Sequence, residues 1–178
     1  MTVISIFVIG AFCLYVYIAI LSMTLKPRTR SHWLLFTAAV CAAFWTFFAY
    51  FAYNADTLEE LRRWFHISVF GMFMFFPVHL LFIISVVPGR RVTPFISALV
   101  VFPGVALFIL NFFYPFVFSD FYLGAKGWVF VPALGNPLNL VWMIYVIIYF
   151  STGVVLLFSW RKRKALTRER KQSGVLAS

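Results

Sequence analysis

The chain has 178 residues, 63% of them hydrophobic, 21% aromatic and only 11% charged, yet it carries a net charge of +10. A water-soluble domain is about a quarter charged, so the composition excludes one and points to a bilayer. The basic residues sit in the gaps between apolar runs, not on a solvated face, so they are orientation signals and argue against a nucleic-acid partner.

A helix needs about 20 apolar residues to cross the hydrocarbon core. Five runs qualify, at residues 3–25, 33–53, 64–87, 93–114 and 138–160. With no water to satisfy the backbone, each must be a helix. The expected fold is therefore all-α, a polytopic bundle of five spans in a single domain. The first run has no Lys or Arg before it and Lys26, Arg28 and Arg30 after it, which reads as a retained helix and not a cleaved leader. Cys13 and Cys41 lie mid-run as apolar residues, and nothing requires a bond between them.

In the second run Ala38-Ala39 and Ala42-Ala43 form a small-residue stripe at i,i+4 spacing. Small residues let helices approach closely in lipid, so this is a packing face. An acidic gap follows (Asp56, Glu59, Glu60), then Arg62 and Arg63. The third run holds His66 near the interface and His79 deeper, just after Pro77. The two imidazoles are about 20 Å apart along a helix, so they cannot share a metal. His79 is expected to bond a carbonyl freed by Pro77, with a ligand-binding or proton-sensing role as the alternative. Pro94 suits a first helical turn, whereas Pro77 and Pro103 are expected to kink their helices.

The connection 115–137 is the one long gap. Its aromatic runs 121–123 and 128–131 flank Gly124-Ala125-Lys126-Gly127, which suits either a hairpin or an irregular interfacial loop. In either form it is a candidate lid over a pocket. The fifth run continues into the basic, helix-favouring stretch 161–172, and the small apolar residues 173–178 resemble the start of another crossing. The chain is therefore expected to continue.

Alternate gaps differ sharply in charge. Twelve of the 15 Lys and Arg residues fall on one side (26, 28, 30, 90, 91 and seven in the tail), and only Arg62, Arg63 and Lys126 on the other. The basic side is predicted cytoplasmic, which puts the N-terminus and the long aromatic gap outside and the C-terminus inside.

No catalytic motif, metal cluster or cofactor signature is present, so this chain is not expected to be an enzyme or to hold a cofactor. The polar and amphipathic candidates for lining a ligand cavity are Trp45, Tyr50, His79, Asn111, Trp128, Asn139, Trp142 and Tyr145. Most aromatics of this kind are belt or packing residues.

Several stretches combine into a resemblance: 43–50 (Ala-Phe-Trp-Thr-Phe-Phe-Ala-Tyr), Arg63-Trp64-Phe65-His66 through Gly71, Phe76-Pro77-Val78-His79, and a fifth run leading into Arg168-Glu169-Arg170-Lys171-Gln172. Together they resemble the N-terminal seven-helix sensor region of bacterial histidine kinases, also found before diguanylate cyclases. The resemblance implies an input module in the bacterial inner membrane. It would bind an unidentified small molecule or peptide and act as a homodimer within a full receptor that ends in a cytoplasmic output domain. It transfers no ligand residues. A transporter or channel subunit is disfavoured by the lack of charge inside the runs; a structural assembly protein is the remaining alternative.

Overall fold

The computed structural model describes residues 3–88, 92–124 and 127–175, with side chains over 4–88, 92–124 and 127–162. Arg90-Arg91, the centre of the 124–127 link and residues 176–178, where a further crossing was expected to begin, lie outside the described residues.

The five apolar runs fold as helices long and apolar enough to span a membrane. They are α1 (Val3–Thr24), α2 (Arg30–Tyr53), α3 (Leu58–Val86), α4 (Pro94–Phe113) and α5 (Pro137–Val175). Side-chain caps rather than hydropathy set several starts. α3 begins at Leu58, ahead of the apolar run, because the Thr57 hydroxyl accepts the Glu60 N–H at 3.2 Å and Glu59 and Glu60 stand in the positive first turn. At α4, Thr93 accepts from Ile96 at 3.2 Å and Pro94 occupies the first turn. At α5 the Asn136 side-chain oxygen accepts the Leu138 N–H at 2.9 Å. From there α5 runs without a break through the basic stretch to Val175.

α3 is the central helix. It packs against α2, α4 and α5, whereas α1 packs on α2. More than half of its most apolar stretch (56%) is buried inside the protein, against 11–22% for the other four spans. The remaining spans therefore present apolar surface outward, as lipid-facing helices do. The small-residue stripe of α2 is buried, at 1–7% exposure across Ala38, Ala39, Ala42 and Ala43. Gly71 of α3 meets the backbone of Cys41 and Trp45 there. Both cysteines are free thiols.

The long connection is a hairpin, β1 (Phe118–Gly124) paired antiparallel with β2 (Gly127–Pro132). Gly127 has φ 114°, a conformation only glycine takes without strain, and it closes the turn. The register runs from Gly124↔Gly127 through Phe121↔Phe130 to Asp120↔Val131, with an extra residue, Ser119, between Asp120 and Phe118, which pairs with Pro132. That extra residue restores Phe118 to the face of Phe121, against the strict alternation of a strand. Phe118, Phe121 and Phe130 thus form one aromatic face over Phe65 of α3, with ring centroids at 5.1, 5.6 and 5.7 Å.

The hairpin closes one end of the bundle. The opposite end is tied by Arg30, which donates to the Val92 carbonyl and to Ser97 Oγ (3.4 Å), and by the Ser85 hydroxyl, which donates to that of Ser31 at 3.0 Å.

Candidate functional site

Beneath the hairpin the backbone turns from α4 into β1 through Phe116 and Val117, both buried. Their polar groups cannot reach water and must pair within the protein. Asn111 and Asn139 supply the partners. Asn111 Oδ1 accepts the Phe116 N–H at 3.2 Å, and Asn139 Nδ2 donates to the carbonyls of Phe116 (3.0 Å) and Val117 (2.7 Å). Trp128 anchors the other side, its indole N–H donating 2.7 Å to the Ala55 carbonyl between α2 and α3. These three ligand candidates therefore brace the hairpin.

Replacing Trp128 with phenylalanine keeps an aromatic ring but loses this bond and part of the indole's packing on Ala52, Ala55 and Leu61. A hydrogen bond of this kind contributes about 1 kcal/mol. Hydrogen exchange of the β1–β2 amides is expected to accelerate about fivefold, with α3 amides unchanged.

The braced hairpin and the helix ends form the walls of two half-open cavities. The larger, about 1010 Å³, is lined by Arg62, Phe65 and His66 of α3, Asn111 of α4, and hairpin residues including Phe118 and Phe121. The second, about 430 Å³, is almost wholly apolar and lies between α1, α2, α3 and the hairpin, with Trp45, Tyr53 and Phe130 in its wall. A third pocket of about 260 Å³ lies between α2, α3 and α5, with Trp45, Phe76 and Trp142 in its wall. Trp45 borders both smaller spaces.

Trp142 and Tyr145 are brought together. Their rings stack at 5.6 Å, and Trp142 packs on Phe73 at 4.6 Å. The Tyr145 hydroxyl donates to the Phe73 carbonyl at 3.0 Å. Phe73 is four residues before Pro77, so its carbonyl is the one that Pro77, lacking an N–H, leaves without a helical partner. This corrects the expectation for His79. His79 lies on the other side of Pro77, about 9 Å along the helix from Phe73, and its ring stacks on Phe75 at 5.3 Å. One turn further along α5, Tyr149 donates to the Val100 carbonyl of α4 at 2.5 Å, next to the gap made by Pro103. Gly104 makes room for this junction, since a Cβ there would lie 2.9 Å from both the Phe73 carbonyl oxygen and the Tyr145 hydroxyl. Tyr50 lines none of the three cavities and packs edge-on against Phe51.

Sequence reasoning passed over Arg62, which it counted only as a loop charge. Its spacing from His66 is the signal that was available, because i,i+4 residues share a helix face. Among the described residues no group of His, Cys, Asp and Glu could hold a metal ion.

Spanning-length apolar helices around one central helix, with no barrel, define a polytopic helical membrane protein. The chain belongs to the family described as the N-terminal 7TM region of histidine kinase, which it matches over residues 2–178. It is thus a membrane sensor input region; the family's description counts seven spans, and the described residues hold five. No curated protein and no solved structure matches it.

Proposed function

We propose that this chain senses a signal from outside the cell or from the membrane and passes it through α5 to a cytoplasmic output domain of the histidine kinase type. Family membership is the observation that carries the reading. The charge bias supports an orientation with the hairpin outside and the C-terminal end of α5 in the cytoplasm of a bacterial inner membrane. α5 is suited to the relay because it is one continuous helix from the hairpin to the basic segment. It also bonds α3 and α4 through Tyr145 and Tyr149, beside the hydrogen-bond gaps that Pro77 and Pro103 leave in these otherwise continuous helices. A ligand would bias this relay by binding two arrangements of the helices with different affinity, in a receptor that works as a homodimer.

The test uses a receptor carrying residues 1–178 ahead of its transmitter. Autophosphorylation is measured in membrane vesicles while extracellular extracts are applied to the hairpin face. Deleting residues 121–131 is expected to abolish the response and leave membrane insertion intact. A response that survives the deletion would remove the hairpin pocket from the sensing mechanism.

A further inference from the structure

We infer that the larger cavity is a binding site for an amphipathic anion, with one carboxylate or phosphate head on an apolar body. The inference rests on the sensing reading for its purpose, but on the cavity's own chemistry for its ligand.

The wall's polar side chains are Arg62, His66 and Asn111, which offer donors, together with Ser119, whose hydroxyl donates to the Val131 carbonyl at 3.3 Å, and Asn136, whose oxygen accepts the Leu138 N–H. Arg62 and His66 stand one turn apart on the same face of α3, and both line the space. Arg62 is the unmatched charge of its turn. Glu59 is bound to Arg63 at 3.5 Å, and Glu60 accepts from the Trp64 indole (3.2 Å) and the Asp56 N–H (3.2 Å). The Arg62 guanidinium has no hydrogen-bond or ion-pair partner among the described residues. Across from it Asn111 is 3% exposed, with its oxygen committed to Phe116. Its Nδ2 donates no hydrogen bond among the described residues, and the side chain lines the same space. Among the described residues no Asp or Glu contributes to the wall. Most of the remaining wall is apolar, with Phe65, Phe118 and Phe121 and the prolines Pro115, Pro132 and Pro137 among its residues.

A cation with further donors and no acid selects an anion, and a guanidinium pairs with carboxylate or phosphate through two parallel bonds. An apolar wall with a few placed polar groups is the general form of a small-molecule site, and the volume suits a ligand of drug-like or lipid-head size. A fully water-soluble dianion would leave the aromatic wall unused. An uncharged hydrocarbon would make no use of the Arg62 charge or of the Asn111 amide.

The experiment places the full chain in nanodiscs of phosphatidylcholine and titrates octanoate, with octan-1-ol and octylamine as equal-tail controls. A second arm dopes the bilayer with phosphatidylglycerol. Octanoate is expected to bind saturably and raise the unfolding midpoint, and the two controls are not. Arg62→Gln, at an exposed position, is expected to weaken octanoate binding about tenfold or more. Asn111→Asp keeps the acceptor for Phe116 but replaces the donor with a carboxylate that repels an anion, so it should abolish binding. A charge at this buried position also lowers the ligand-free midpoint, so the loss of binding is read against Arg62→Gln, whose midpoint should stay near wild type. Saturable phosphatidylglycerol binding that octanoate displaces and Arg62→Gln weakens would identify the bilayer as the source of the anion; octanoate binding without it would identify a free organic acid. Equal binding of all three tails, or no effect of Arg62→Gln, overturns the site. Octanoate binding that leaves receptor autophosphorylation unchanged would sink the sensing reading and leave the site standing.

Discussion

Replacing Gly71 with alanine is expected to separate α2 from α3 and cost about 3 kcal/mol, the upper end for overpacking a fitted interface. A Cβ at this position would lie 2.5 Å from the Cys41 carbonyl oxygen and 2.7 Å from the Trp45 nitrogen. Both are backbone atoms, so no rotamer change relieves the clash and the helices must move apart. In lipid there is no hydrophobic drive to hold them together, and close backbone approach with dense van der Waals contact supplies the association. The displacement would also loosen Ala38 and Ala42, the most buried part of the stripe. The measurement is the unfolding midpoint in mixed detergent micelles. Gly10→Ala is the control, because nothing lies within 4 Å of a Cβ there. It should be neutral or stabilising by up to about 1 kcal/mol, from helix propensity alone. Equal midpoints for the two variants would show that α2 and α3 do not pack through Gly71.

The spans and the α2 packing face were legible because lipid imposes strong rules, with length and charge exclusion locating helices and small residues locating close contacts. The start of α3 was not, since a Thr57 cap outweighs the polarity of Glu59 and Glu60 and draws them into the helix. The hairpin was open between two readings because aromatic runs around glycines suit a headgroup layer as well as a strand pair. What decides it is nonlocal: Phe65 of α3 receives three rings, and Ala55 offers a carbonyl to Trp128. The polar candidates show the same limit. Asn111 and Asn139 are conspicuous in an apolar sequence, but their bonds go to Phe116 and Val117, segments brought near only by the fold. Arg62 was hidden for the converse reason. It looked like one charge among several until the structure showed its neighbours paired elsewhere.

Removing the Tyr145 hydroxyl is expected to strand a carbonyl and release α5 from α3. Pro77 denies Phe73 its helical N–H, and inside a bilayer no water replaces it. Tyr145→Phe should therefore cost about 2 kcal/mol, within the range for leaving a buried acceptor unpaired. Pro77→Ala supplies the missing N–H, so on that background Tyr145→Phe should cost about 1 kcal/mol less. The coupling is partial because a carbonyl has a second lone pair and Tyr145 can share it. Measuring unfolding midpoints for the wild type, both single variants and the double variant isolates this term. Additive effects would mean that the hydroxyl does not act through the proline gap. The consequence for signalling follows from which helices are joined. The bond links α5, the proposed output helix, to the central helix whose other residues Phe65, Arg62 and His66 line the large cavity. If movement of α3 reaches the cytoplasm through this junction, Tyr145→Phe should shift basal autophosphorylation of the receptor and shrink its response to ligand while leaving ligand affinity at the hairpin end within about threefold of wild type, a change of less than 1 kcal/mol. A variant with the same basal output and the same response would place the relay elsewhere along α5.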